Sequence, residues 1–325
     1  MNEITLSVIV PLYNEIENVP NLCKAINDAV SKIGCTYEIL IIDDGSSDGS
    51  WEKLKECAKQ YKNFRLIRFR RNFGQTAAMS AGFRESKGKI VVTLDADLQN
   101  DPTDIKMLVD KMNEGYDVVS GWRKNRKDTF INRKLPSMLA NGMISWITGV
   151  HLHDYGCTLK AYSREVVQNI DLYGEMHRFI PALASWGGGR TTEVVVNHHP
   201  RLLGKSKYGI GRVTKVILDL ITVKFLLSYS TKPIQIFGKI GLYCGIPGIL
   251  LFLFIFFSHF LWKFFDIGSE NIALMAKSPF WLISSFMLIF FGIQFISMGV
   301  LAELQTRTYH EAQNKPIYVI KEIVE

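Results

Sequence analysis

The sequence lacks the motifs of several common enzyme and metal-binding classes. Its five cysteines are odd in number and show no CxxC spacing, so they indicate reduced packing residues and neither a disulfide framework nor a zinc site. The GxxxxGK[ST] phosphate loop, the GxGxxG fingerprint and the GxSxG nucleophile elbow are all missing. The neighbouring His198 and His199 do not have zinc spacing. The chemistry must therefore come from other side chains.

Two long stretches also lack charge. No Asp, Glu, Lys or Arg occurs from Ile240 to Trp262 or from Pro279 to Ala302. Each stretch exceeds the ~20 residues that a helix needs to cross a bilayer. A chain of 325 residues is expected to form about two domains, too little protein to bury two such helices. We therefore expect two transmembrane helices near the C-terminus.

The basic residues predict how these helices are oriented. The connector between them has two basic residues, Lys263 and Lys277. The segments that flank the pair have five: Lys232, Lys239, Arg307, Lys315 and Lys321. The positive-inside rule then places the connector outside and both termini in the cytoplasm. The segment "MNEITLSVIVPLYNE" carries an acid and a strand pattern and is not a signal peptide. We expect a multi-pass protein of the inner (plasma) membrane.

Strands and helices alternate before the first basic cluster. The predicted strands are "LSVIVP", "YEILIID", "FRLIRF", "KIVVTLD" and "YDVVSGW", and segments with helical spacing separate them. Such alternation predicts an α/β fold with a mainly parallel sheet. Ligands of these sheets bind beyond the carboxyl ends of the strands.

Polar residues follow each of these strands, so we expect them along one edge of the sheet. They include Pro11, Tyr13 and Glu15, then Asp44, then Arg71 and Asn72, then Asp95, Asp97 and Gln99, and finally Trp122 and Arg123. Any single set has an alternative interpretation as a capped turn, and Asp48 could simply cap the following helix. Five sets on one edge favour a binding site.

The stretch "IVVTLDADLQNDP" carries the strongest chemical signal. A buried strand runs directly into Asp95, Asp97 and Asp101, with Gln99 between them. Carboxylates that converge repel one another unless something positive lies between them. Carboxylate and amide oxygens are typical ligands of Mg²⁺ or Mn²⁺, which complete their shell with water and substrate phosphates. The pattern predicts a divalent ion that holds a diphosphate leaving group.

Six motifs together resemble one enzyme family. They are "SVIVPLYNE", "IIDDGSSDGS", "RNFGQTAAMSAGF", "LDADLQNDP", "DYGCTLKAYSRE" and "RLLGKSKYG". In this order they are similar to the polyprenyl-phosphate glycosyltransferases, a group that includes dolichol-phosphate mannose synthase and the bactoprenol glucosyltransferases within glycosyltransferase family 2. The resemblance covers the whole chain, including the two C-terminal membrane helices. It implies a GT-A fold.

The resemblance also implies roles for individual residues. The nucleobase and ribose would be held by Pro11, Tyr13, Glu15 and Asp44, and Asp95 would face the ribose and diphosphate. Asp97 and Gln99 would bind the metal. Donor and acceptor phosphates would meet Arg123, Arg133, Arg201 and Lys205. Asp154 would lie at the reacting centre, as a base or as a positioning group. No role follows for His151 or His153.

Two basic, partly amphipathic segments support a lipid acceptor independently. Trp122–Lys134 has six basic residues against one acid, and Arg201–Lys232 has seven against one. Between Gly209 and Ser228 the polar residues fall on one helical stripe, which suits a helix lying in the lipid headgroups. The stretch Leu135–Gly149 is similar. The alternative for each is a helix packed on the sheet.

The resulting hypothesis has three parts. Residues 1–208 form a cytoplasmic GT-A catalytic domain, 209–233 an interfacial amphipathic helix, and 234–325 a two-helix transmembrane domain with a cytoplasmic tail. We expect an inverting transfer of one sugar to undecaprenyl or another polyprenyl phosphate. Glucose from UDP-glucose is the first candidate. The expected partners are the nucleotide-sugar, the lipid phosphate and membrane lipids, without nucleic acid. The resemblance suggests a homotetramer.

Two other functions stay open at this point. A processive polysaccharide synthase of the same superfamily usually has a longer membrane channel and a QxxRW-type motif, whereas "ALASWGG" has no Arg before Trp186. A non-catalytic membrane regulator with a transferase-like domain is the second alternative, and the intact DADLQ sequence disfavours it. Dependence of sugar transfer on a divalent ion distinguishes the regulator from the enzyme.

Overall fold

A computed structural model describes residues 3–124, 135–170, 172, 176–200, 234–265, 278–312 and 320–324. The chain forms two compact units. The first comprises Met1–Lys224 together with Pro316–Glu325, and the second comprises Phe225–Lys315. Arg133, Arg201, Lys205 and the expected interfacial helix at 209–233 lie outside the described residues.

The first unit is built on one eight-stranded sheet. Its strands are β1 (Leu6–Leu12), β2 (Tyr37–Asp43), β3 (Phe64–Phe69), β4 (Ile90–Thr93), β5 (Val118–Trp122), β6 (Lys160–Ser163), β7 (Thr191–Val195) and β8 (Ile320–Val324). Their order across the sheet is β7-β5-β6-β4-β1-β2-β3-β8. The predicted strands thus form the centre of the sheet, where both faces are covered and apolar runs are buried.

Strand direction determines which edge carries the polar loops. β1 pairs in parallel with β2 and β4, and β2 pairs in parallel with β3. β6 runs antiparallel to both β4 and β5, so β5 points the same way as β4. The carboxyl ends of β1 to β5 therefore meet at one edge, which confirms the predicted mainly parallel arrangement.

Helices cover the sheet and form between the strands as the sequence pattern predicts. They are α1 (Val19–Val30), α2 (Ser50–Ala58), α3 (Gln75–Glu85), α4 (Ile105–Met112), α5 (Leu135–Thr148), α6 (Arg164–Gln168) and α7 (Ile180–Trp186). In α1 the residues Leu22, Ile26 and Val30, spaced four apart, are all buried, because this spacing places them on one face. In α3 a Cβ on Gly82 would lie 2.4 Å from the Ile9 side chain, so this glycine lets the helix approach β1.

β8 is the main departure from the expected domain division. The sequence pattern assigns residues 320–324 to the tail of the membrane domain, but these residues pair antiparallel with β3 and complete the sheet. Ile67 lies opposite Ile323 and Leu66 opposite Val324. Because this partner is more than 250 residues away along the chain, local pattern gives no sign of the pairing.

The described residues of the second unit include two long helices, α8 (Ile234–Phe265) and α9 (Pro279–Ala312). Within them, Ile234–Phe264 and Pro279–Ala302 are long and apolar enough to cross a membrane, with mean hydropathies of 2.4 and 2.0. Glycines bring the helices together, since a Cβ on Gly292 would lie 2.7 Å from the Gly245 Cα. Such close approach through small residues is typical of helix pairs in membranes.

Candidate active site

The acidic stretch after β4 forms a tight turn at the polar edge of the sheet. Leu98 has a φ of +57°, a left-handed conformation that is uncommon for a residue with a side chain and is concentrated at functional sites. The backbone N–H of Gln99 donates to Asp97 Oδ1 at 3.1 Å. The turn thus brings the carboxylate of Asp97 and residue Gln99 close together.

Asp95 is held by two side chains from other parts of the chain. Gln75 Nε2 donates to Asp95 Oδ1 at 2.8 Å, and Thr158 Oγ1 donates to Oδ2 at 2.6 Å. Burial, and next the nearby charge of Asp97, raise the pKa of Asp95 to about 6. Gln75 and Thr158 have no predicted role, although both lie within the motifs that carry the family resemblance. Their effect is to fix the direction of the Asp95 carboxylate.

The loops after β1 and β2 are joined by hydrogen bonds. The Asn14 N–H donates to Ser46 Oγ at 2.8 Å, and the Ser47 N–H donates to Asn14 Oδ1 at 2.9 Å. Next to them the Glu15 N–H donates to Ser50 Oγ at 3.0 Å. Pro11, Tyr13 and Glu15, which are predicted to bind the donor nucleotide, are all half-buried along this loop pair.

Asp44 is already engaged with the loop after β3. Its two carboxylate oxygens accept the backbone N–H groups of Phe73 and Gly74 at 2.7 and 2.9 Å. Asp44 is 3% exposed, and burial raises the pKa of its carboxyl to about 6. Contact with a nucleotide stays a prediction for this residue, whereas its link between two loops of the site is a feature of the fold.

Arg123 and Asp154 form a buried pair beside the acidic turn. Arg123 Nε donates to Asp154 Oδ2 at 2.7 Å, and its Nη2 donates to Oδ1 at 3.0 Å. The Gly156 N–H also donates to Oδ1, at 3.1 Å. Only 11% of the Arg123 side chain and 4% of the Asp154 side chain are exposed. A carboxylate that accepts this fork is suited to orienting the guanidinium and poorly suited to removing a proton.

A buried lysine stands behind this pair. Lys160 is 2% exposed, and its Nζ donates to the Tyr155 carbonyl at 3.0 Å. Burial lowers the pKa of Lys160 to about 8, so the amine stays largely protonated at neutral pH. Its strand register places it opposite Thr93 and Ser120, between the strands that lead to Asp95 and Arg123. The sequence gives this lysine no role, because a single Lys in "LKAYS" resembles a surface residue.

The segment after β7 is tied to the acidic turn at several points. The His199 N–H donates to the Gln99 carbonyl at 2.8 Å, and His199 Nε2 lies 3.1 Å from Asp101 Oδ2. Asn197 donates to both carboxylate oxygens of Asp104, at 2.7 and 2.9 Å. The contacts between the segment after β7 and the acidic turn therefore end a few residues before the motif that contains Arg201 and Lys205 in the sequence.

The side chains of the turn fit a hard divalent cation. In the described part of the chain, no three His, Cys, Asp or Glu side chains cluster as a ready metal site. Asp97 and Gln99 supply oxygen donors, and both are half-buried at the sheet edge. This small donor set suits Mg²⁺ or Mn²⁺, which commonly take few protein ligands and fill their shell with phosphate oxygens and water.

Comparison with known proteins identifies the family. Residues 7–171 match the family described as Glycosyl transferase family 2. The dodecaprenyl-phosphate galacturonate synthase of Rhizobium johnstonii is 39% identical over 330 residues, covering 99% of this chain and 94% of that protein. The undecaprenyl-phosphate 4-deoxy-4-formamido-L-arabinose transferase of Proteus mirabilis is 35% identical over 320 residues, covering 98% of this chain and 94% of that protein.

Solved structures share the fold of the first unit. Glucosyl-3-phosphoglycerate synthase from Mycobacterium tuberculosis, in complex with Mn²⁺, UDP and phosphoglyceric acid, superposes with a TM-score of 0.54 at 17% identity. The match covers 68% of this chain and 78% of that one. Mannosyl-3-phosphoglycerate synthase from Rubrobacter xylanophilus gives 0.53 at 14% identity, over 68% of this chain and 74% of its own. These likenesses confirm the GT-A fold.

The relatives and the fold agree with the family that the motifs predict. The chain belongs to glycosyltransferase family 2, and within it to the polyprenyl-phosphate glycosyltransferases.

Proposed function

We propose that the protein transfers one sugar from a UDP-sugar to undecaprenyl phosphate or a related polyprenyl phosphate. The observation that carries this proposal is the convergence of the Asp97–Gln99 turn and the buried Arg123–Asp154 pair at one edge of the sheet. The first supplies oxygen donors for a cation, and the second supplies a guanidinium that Asp154 holds in place and whose remaining N–H groups suit phosphate. A nucleoside-diphosphate sugar and a lipid phosphate are substrates that would need both the cation and the guanidinium.

Each predicted residue has a task in this scheme. Pro11, Tyr13, Glu15 and Asp44 bind the nucleoside, Asp95 faces the ribose and diphosphate, and Asp97 and Gln99 hold Mg²⁺ or Mn²⁺. When bound, the ion offsets the charge that develops on the departing diphosphate. Arg123, Arg133, Arg201 and Lys205 bind phosphate groups. Asp154 orients Arg123, because its oxygens already accept the guanidinium.

No strong general base is needed for this reaction. A phosphate monoester has its second pKa near ~6, so the acceptor is already an anion at neutral pH. Attack by one phosphate oxygen on the anomeric carbon, with departure of the nucleoside diphosphate on the opposite side, inverts that centre. This chemistry agrees with a paired, orienting role for Asp154.

The arrangement in the membrane follows from strand pairing as well as from charge. β3 precedes both apolar helices and β8 follows them, yet the two strands pair. Strands that pair lie in one compartment, which supports a topology in which α8 and α9 both cross the membrane. With the positive-inside rule, we propose that residues 1–208 form a cytoplasmic catalytic domain and that 209–233 form an interfacial helix. Residues 234–325 form the membrane segment and the strand that returns to the sheet. The proposed assembly is a homotetramer.

A donor panel tests the proposal. The full chain in lipid nanodiscs is mixed with undecaprenyl phosphate and with UDP-glucose, UDP-galacturonate, UDP-4-deoxy-4-formamido-L-arabinose or GDP-mannose, in Mn²⁺, in Mg²⁺ or with EDTA. The expected product is a lipid phosphate that carries one sugar, formed only with a divalent ion. Glucose is the first candidate from sequence, and the relatives' names add the two modified sugars. A polymeric product supports the processive alternative, and nucleotide binding without turnover supports the regulator.

A further inference from the structure

Trp122 at the end of β5 and Arg123 directly after it contact two adjacent residues of the loop before β6. The His153 ring stacks on the Trp122 ring, with centroids 4.1 Å apart and planes at 15°. Next to this stack, Arg123 and Asp154 form the two-bond pair described above. Because Trp122 is adjacent to Arg123 and His153 is adjacent to Asp154, the ring stack and the ion pair lie side by side. We therefore expect a shift of His153 to move Asp154 as well.

Glu193 on β7 fixes His153 from a third element. Glu193 Oε2 accepts the His153 backbone N–H at 2.9 Å, and Oε1 is hydrogen-bonded to the ring Nδ1. Since an ionised carboxylate only accepts, Nδ1 is the donor. From α5, Asn141 Nδ2 donates to the His153 carbonyl at 2.7 Å. The backbone N–H and the ring Nδ1 of His153 are thus both bonded to Glu193 on β7, and its carbonyl is bonded to Asn141 on α5.

Burial does not account for this arrangement. The His153 side chain is 64% exposed, whereas its partner Glu193 is 18% exposed. An exposed ring contributes little apolar burial to the core. The consequence of its contacts is geometric, because they set where the loop from His153 to Gly156 lies relative to Arg123.

We propose that His153 is a positioning residue for sugar transfer, which acts by holding Asp154 and so aligning the Arg123 guanidinium. Glu193 holds His153 through hydrogen bonds, and the Trp122 ring stacks on the His153 ring. The proposal rests on the proposed function, in which Arg123 binds a phosphate group. Misplacement of a reacting geometry by about 1 Å costs up to ~10²-fold in rate.

Two substitutions separate the hydrogen bond from the ring. His153→Phe keeps an aromatic ring against Trp122 and removes Nδ1, whereas His153→Asn removes the ring and keeps a nitrogen donor near the position of Nδ1. Glu193→Gln keeps the size of the partner and removes its charge. His151→Ala is the matched control, because His151 is also an exposed histidine of the same loop region.

Turnover, donor KM, UDP affinity and melting midpoint are measured on the full chain in nanodiscs. We expect His153→Phe to lower kcat about 10- to 100-fold, with UDP affinity and melting midpoint unchanged. His153→Asn should stay within about threefold of wild type, Glu193→Gln should resemble the Phe variant, and His151→Ala should be silent. A wild-type kcat in His153→Phe overturns the proposal. A lower kcat that is accompanied by a lower melting midpoint also overturns it, and so does a kcat that stays low in His153→Asn.

A second measurement does not depend on turnover. In protein labelled with ¹⁵N-arginine, the Arg123 Nε–H signal, assigned with Arg123→Lys, reports its hydrogen bond to Asp154. His153→Phe should shift this signal and speed its exchange with water, while His151→Ala leaves it unchanged. An unchanged signal in His153→Phe overturns the positioning role. Absence of wild-type turnover with every donor contradicts the proposed function, whereas a shifted signal in His153→Phe still supports the alignment of Arg123 by His153.

Discussion

The backbone N–H of His199 donates to the backbone carbonyl of Gln99 at 2.8 Å, which joins the segment after β7 to the turn that carries the metal-candidate oxygens. The side chains of His199 and Asp101 reinforce the link. The link joins segments that are about 100 residues apart in sequence, and Arg201, which is predicted to bind phosphate, follows His199 by two residues.

Arg201→Lys separates phosphate binding from attraction to lipid. A surface cation near anionic lipid contributes about 1 kcal/mol whichever basic side chain it is, but only the planar guanidinium grips phosphate with two parallel bonds. We expect Arg201→Lys to lower turnover and to leave vesicle co-sedimentation unchanged. Normal transfer by this variant rules out the phosphate assignment, and a parallel loss of membrane binding favours the lipid role.

Asp97→Ala removes a proposed metal ligand. We expect turnover to fall ~10²–10³-fold, since a main electrostatic stabiliser of the leaving group is lost. Asp110→Ala is the control, because Asp110 is an exposed acid on α4 that pairs with Lys106 on the same helix. Wild-type rates for Asp97→Ala in saturating Mn²⁺ or Mg²⁺ contradict the assignment.

Gly45→Ala tests the contact between the loops after β2 and β3. Gly45 has a φ of +72°, and a Cβ there would lie 2.4 Å from the Arg71 carbonyl carbon. The left-handed strain costs about 1–2 kcal/mol, and the backbone clash adds about 1–3 kcal/mol. Gly34→Ala, at a φ of +80° in open space, carries the strain alone. In thermal unfolding, Gly45→Ala should lower the melting midpoint more than Gly34→Ala does. Equal decreases in the two variants contradict the contact between the loops.

Asp44 gives the protein a measurable dependence of stability on pH. Burial raises the pKa of Asp44 from 3.8 to about 6 in the folded protein, so its protonation stabilises the fold fully below 3.8 and ceases to do so as pH rises through 6. Between pH 7 and pH 5 the wild type should gain about 1 kcal/mol relative to Asp44→Asn, or roughly 2–4 °C in melting midpoint. Parallel pH profiles of the two proteins contradict this effect.

Removing the membrane unit tests what β8 does for the sheet. A protein without Ile234–Glu325 retains β1 to β7 and the donor edge, so we expect it to bind UDP. It also loses the strand that covers β3, and an uncovered edge strand promotes association between copies. A second variant that lacks only 234–315 keeps β8 and should remain monomeric at higher concentration in light scattering. Loss of UDP binding in a folded truncation contradicts an independent donor site.

The sequence predicts the centre of the catalytic unit because its signals are local. "LSVIVP" and "YEILIID" are apolar runs between turn residues, and Leu22, Ile26 and Val30 repeat with helical spacing, so each element is determined by neighbours in the chain. The acidic turn is predicted for the same reason, since Asp95, Asp97 and Gln99 lie within five residues.

The elements that were missed depend on partners far away in sequence. β6 has four residues, and its lysine is buried only because β4 and β5 enclose it. The same holds for Gln75 and Thr158, which have significance through Asp95 alone. Pairing of His153 with Glu193 is equally invisible, since nothing near either residue in sequence indicates the other. Tertiary contact determines these features, and local pattern does not encode it.

The pairing of β3 with β8 also imposes an order of events during synthesis. β8 is made after both apolar helices, so the sheet cannot be completed until α8 and α9 have been synthesised. Through that interval the β3 edge is open to other chains or to a chaperone. Under the proposed topology, insertion of both helices would return β8 to the compartment of β3, and completion of the sheet would report that insertion.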